Sequence, residues 1–155
     1  MLEKKIVFLK EEVVPLLHKL RPLQKGNWGK MDAQQMVEHL EDICKVANGK
    51  IPLQLINTDP KGLAAARDFL ATELPFQENT RVPVMPEEPR PHKYTTLQEG
   101  IEKVAKELDL VLEVYTANPS LQLMHPIFGS LDQELQIRYL YKHVYHHLRQ
   151  FGLVD

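Results

Sequence analysis

Cys44 is the one cysteine among 155 residues, which excludes an internal disulfide and a cysteine-rich zinc site. Any metal would have to be held by histidine and carboxylate. Positive charge is not in excess: 19 lysines and arginines stand against 21 aspartates and glutamates, for a net charge of −2, so the chain offers no electrostatic footprint for nucleic acid. No apolar run is long enough to span a bilayer. The opening stretch, MLEKKIVFLKEEVVPLL, carries acidic residues inside its apolar pattern, unlike the uninterrupted core of a signal peptide. A cytoplasmic protein with neither membrane nor nucleic-acid partners is expected. No internal repeat or low-complexity segment stands out, and a single domain over residues 1–155 fits the length.

What is present is helical periodicity. Ile6, Leu9, Val13, Leu16, Leu17 and Leu20 recur at spacings of three and four, which predicts a first helix over residues 3–20. Pro15 lies inside it and removes a backbone donor, so a kink or break is expected there. Asp32 followed by Gln35 reads as a reciprocal N-cap, opening a second helix that runs to the Asn48-Gly49 stop. A long connection follows over residues 50–94, with a short helix around KGLAAARDFLAT and then PVMPEEPRPHK, where four prolines in nine positions rule out regular structure. Leu97, Ile101, Val104, Leu108, Val111 and Tyr115 make the stripe of another helix, ended by Asn118-Pro119. Ser130 with Gln133 predicts a capped start for the last helix, which runs toward Gly152. The fold class expected is all-α: a four-helix bundle with a long crossover connection between helices 2 and 3 that holds a short extra helix.

Three histidines crowd YKHVYHHLRQF, residues 141–151. At about 100° per residue, His143 and His147 both border the buried stripe of the last helix, whereas His146 points away from it and is expected at the surface. On the second helix His39 falls at about 300° from Met36, between Val46 and Ile43, and so faces inward as well. Spacing alone leaves two readings of these three residues. One divalent ion would satisfy a nitrogen on each ring; alternatively, His143 and His147 are bundle-edge residues reaching solvent.

The stretches WGKMDAQQMVEHL (28–40), HPIFGSLD (125–132) and YKHVYHHLRQFG (141–152) resemble the DinB-like superfamily, within a subfamily of uncharacterised function. The resemblance covers the chain from about residue 20 to its end. It implies an up-down-down-up arrangement of the four helices, with His39, His143 and His147 holding a divalent metal at one end of the bundle. It also implies dimers, for which Val7 and Phe8 beside the first helix's main stripe would supply apolar surface. The name refers to genes induced by DNA damage, and no nuclease carboxylate cluster accompanies it. Related members include thiol-dependent transferases and isomerases.

Zinc, nickel, iron or manganese would all suit such a donor set, and geometry rather than residue type separates them. The function expected is that of a divalent-metal-dependent enzyme, a thiol-dependent transferase or hydrolase acting on a small molecule, with a low-molecular-weight thiol as second cofactor. The alternative is a non-catalytic bundle that binds metal or a partner. His125, before Pro126 in the loop leading to the ligand helix, is the candidate catalytic residue, as proton donor or substrate contact, with a helix-capping role as its alternative. Asp42 and Glu38 flank His39 and could orient an imidazole, although a solvated acidic face explains them equally well. Trp28 and Tyr139 read as packing residues.

Overall fold

Pro15 neither breaks nor ends the first helix. In the computed structural model, which describes residues 1–79, 86 and 88–155, α1 (Leu2–Val7) passes into a wider π-helical turn, Phe8–Glu12, and continues as α2 (Val13–Leu17). The Val13 N–H reaches back five residues to the carbonyl of Phe8. A proline ring clashes with the carbonyl four residues before it, here that of Glu11, and the wider turn containing Glu11 offers a local means of relieving that crowding.

The second helix, α3 (Ala33–Ala47), begins at the expected cap: Asp32 accepts from the Gln35 N–H at 2.8 Å while the Gln35 side chain accepts from the Asp32 N–H at 2.9 Å. The connection contains α4 (Pro60–Ala71), capped by Asp59, and residues 93–94 are tied back to α3 because Glu38 accepts the N–H groups of Lys93 and Tyr94. Of the proline-rich stretch expected to be irregular, positions 83–85 and 87 lie outside the described residues. The next helix, α5 (Leu97–Ala117), packs along α3 with Ile101, Val104, Leu108 and Val111 buried.

Before the last helix the chain makes a short antiparallel hairpin, β1 (Leu123–His125) with β2 (Gly129–Leu131). Ser130 is therefore a strand residue opposite Met124, not the cap that spacing suggested. The cap is Asp132, whose carboxylate accepts from the Leu135 N–H at 2.9 Å, and α6 spans Gln133–Gln150. The hairpin is fastened from three sides: Arg67 on α4 donates to the carbonyls of Phe128 and Ser130, Asn57 donates to Ile127, and the Tyr115 hydroxyl donates to Leu131. Among the described residues the fold is thus mostly helical with one small sheet, and the helices share a core that includes Leu17, Met36, Leu40, Val111, Leu140 and Leu148. Phe8 rests edge-on against Tyr141, while Val7 stays exposed. Among the described residues no helix is long and apolar enough to cross a membrane.

Candidate metal centre

The packing of α3 on α6 decides where the histidines go. Met36, Leu40 and Cys44 of α3 and Leu140, Val144 and Leu148 of α6 are buried, and the same helix faces carry His39 toward His143 and His147. The Nε2 atoms of His39 and His143 lie 3.3 Å apart, those of His143 and His147 lie 3.1 Å apart, and one ligand atom from each of the three falls within 4.8 Å of the others. Two imidazole nitrogens bound at about 2.1 Å to one ion, with about 95–110° between the bonds, stand about 3.1–3.4 Å apart. The two contacts match that span.

The protons on the far side of the rings bear on what the cluster can hold. Gln150 donates through Nε2 to the Trp28 carbonyl at 2.9 Å, which turns its amide oxygen toward His147 Nδ1 at 2.8 Å. That oxygen can only accept, so His147 carries its proton on Nδ1 and presents a bare Nε2 to the cluster. His143 Nδ1 is 2.8 Å from the Tyr139 hydroxyl. With His147 Nε2 bare, a proton on His143 Nε2 would have to be shared between two neighbours, and without that proton the His143–His147 contact sets lone pair against lone pair. Charging a ring would be no remedy: burial lowers the pKa of His39 to about 4 and, with repulsion from the neighbouring histidines, that of His143 and His147 well below the usual value. A cation satisfies all three nitrogens together, so the donor set fits a divalent metal.

The loop before α3 maintains this arrangement. A Cβ on Gly29, whose φ is +79°, would lie 2.7 Å from Gln150 Nε2, and one on Gly26 would lie 3.0 Å from Gln150 Cγ. Only glycine leaves room for Gln150 here. The Asn27 N–H adds a bond to the Gln150 carbonyl at 2.7 Å, so the loop closes on the end of α6. Phe76 stands edge-on to the rings of His143 and His146.

His125 stands one residue removed from the cluster. Its Nδ1 accepts the backbone N–H groups of Ile127 and Phe128 at 3.1 and 3.3 Å, and its ring centroid is 4.4 Å from that of Tyr139. Burial lowers its pKa to about 4, so at neutral pH it is an uncharged ring whose one N–H is on Nε2. His146, expected at the surface, is half-buried against Trp28, Phe76 and His147, because residues of the connection and of the loop before α3 cover that side of α6. Glu38 is used by the connection, and Asp42 lies 3.9 Å from Arg90, with burial raising its pKa. Orientation of the α6 imidazoles falls to two neutral groups instead. Tyr139, read as packing, and Gln150, which was overlooked, stand four residues before His143 and three after His147; that helical spacing was the available signal. Comparison of the chain with protein-family models, with curated proteins and with solved structures finds no match.

Proposed function

We propose that the chain binds one divalent metal through His39, His143 and His147 and acts as a metal-dependent transferase or hydrolase on a small molecule, with a low-molecular-weight thiol as co-substrate. In this reading it is a DinB-like protein, and its long helical segments form an up-down-down-up four-helix bundle, with α3 packed along α5 and α1 along α6. The observation that carries the metal assignment is the meeting of the Nε2 atoms at 3.1 and 3.3 Å, with the His147 tautomer set by Gln150. Resemblance alone supports the enzymatic step. A divalent ion held there would supply Lewis acidity toward a polar group of a substrate. The chain's own contributions are Gln150 and Tyr139, which orient two of the ligating rings, and His125, which stacks on Tyr139 and offers a hydrogen-bond donor at Nε2.

Elemental analysis of the purified protein tests the metal assignment. We expect close to one divalent ion per chain in the unmodified protein and in His146→Ala, and almost none in His143→Ala. Unchanged metal content in His143→Ala would overturn the assignment.

A further inference from the structure

A second cluster of polar groups lies on the neighbouring face of α6. A cleft of about 140 Å³ opens between the start of α1, the end of α4 and α6; its walls include Lys5, Glu73, Arg138, Lys142, His146 and Arg149, and none of the three clustered histidines. Four cationic side chains thus line the cleft beside one lining carboxylate, in a chain whose net charge is −2, although Arg138 is also paired with Glu134 on its own helix at 3.3 Å.

These are not freely solvated surface charges. Lys142 is only 7% exposed. Its ammonium donates to the carbonyls of Thr72 and Leu74 and lies 4.5 Å from the Phe69 ring centroid, but it makes no ion pair with a described carboxylate. An ammonium has three donors, and among the described residues two are taken by carbonyls, with only the Phe69 ring beside the third. Lys5 is equally buried and spends its charge on Glu73 at 2.9 Å, a carboxylate that Arg138 also approaches at 3.7 Å. Glu73 is itself two-thirds exposed, so it offsets the buried charge poorly. Two further polar atoms on residues of this wall, Arg149 Nε and His146 Nδ1, are enclosed and have no hydrogen-bond partner among the described residues.

Buried positive charge with donors to spare costs stability unless a counter-charge completes it. About 10–15 Å³ of such space already holds a water, so a cleft of this volume admits an ion of several heavy atoms. We propose that this cleft is a binding site for a small oxyanion, the carboxylate of a small acid or a phosphate group, separate from the three-histidine cluster. Lys142 and Arg149 supply its charge-assisted donors, while Lys5 and Arg138 stand in the same wall already paired with Glu73 and Glu134.

Sodium phosphate and sodium acetate, titrated separately at constant pH and ionic strength into the full chain and followed by amide NMR, provide the test. Expected is a saturable response, to one or both anions, confined to residues 70–75 and the 138–149 face. It should be at least tenfold weaker in Lys142→Met and in Arg149→Gln, and intact in His143→Ala. Response to phosphate alone identifies a phosphate site, and response to acetate alone a carboxylate site. If Lys142→Met does not fold, Arg149→Gln and the map of shifted amides carry the test. Shifts no larger than those from sodium chloride, shifts untouched in both folded variants, or shifts lost in His143→Ala would each overturn the proposal.

Discussion

Gln150 uses both ends of one amide. Its nitrogen is taken by the Trp28 carbonyl, so its oxygen faces His147 and holds that ring's proton away from the cluster. Gln150→Leu removes both bonds at similar volume, frees the His147 tautomer and strands the Trp28 carbonyl. Metal affinity, measured by competition with a chelating dye, is expected to fall by roughly 10–100-fold, as for other groups that orient a ligand, with the fold retained. Unchanged affinity would show that the amide has no part in presenting His147. The inward placement of His39, His143 and His147 was legible in the sequence because a long helix has a fixed phase, and a residue's angle follows from counting. The Trp28 contribution was not legible: it is a backbone oxygen in a loop, 122 residues from its partner, and no side-chain pattern announces it.

α3 and α5 followed the periodicity that announced them, whereas the first helix, with an equally long stripe, is interrupted by the π-helical turn and ends at Leu17. Another departure came where an element was too short to show a period. The hairpin has three residues in each strand, too few for an alternating pattern to stand out, and it drew Ser130 into a ladder that left capping to Asp132. The two residues can be separated experimentally. Asp132→Ala is expected to destabilise the protein by about 1 kcal/mol through loss of the cap, read as a lowered urea midpoint. Ser130→Ala removes only an exposed bond to Gln122 and should change stability by less than about 0.5 kcal/mol. Equal effects would return the cap to Ser130. The π-helical turn is a similar case, since Pro15 announces a disturbance but not how the preceding turn accommodates it.

For the molecule as a whole, the titrating groups predict a sensitivity to acid. Burial lowers the pKa of His125 to about 4. Glu41 and Glu107 are pushed upward by burial but more strongly downward by their partners, Tyr94 and Lys93 for the first and Lys50 and Asn48 for the second, so both are held below the usual 4.5. All three are depressed, so in each case the unfolded chain takes up protons first as pH falls. Stability measured by urea unfolding in the presence of a chelator should therefore be complete above about pH 6.5. It should decline as His125 is protonated in the unfolded chain, and decline further below about 4.5 as the carboxylates follow. A stability maximum near pH 5 would contradict this assignment. None of it was readable beforehand, because Lys93 and Tyr94 reach Glu41 across more than fifty positions of the chain.

His39 and His143 meet across 104 positions, and under the proposed function that meeting has a kinetic meaning. An ion shared by the two rings would work as a removable cross-link across about a hundred residues, present in the folded chain and released when it unfolds. Contacts so distant in sequence form late, after the helices have paired locally. The benefit of the ion would then fall on the rate of opening rather than of closing. Stopped-flow measurements should find unfolding in urea at least tenfold slower with metal than with chelator, and refolding nearly the same in both. Metal that accelerated refolding instead would place the junction of α3 and α6 among the first contacts made. In the expected case, the chain would reach its shape unaided and the ion would govern how long it stays there.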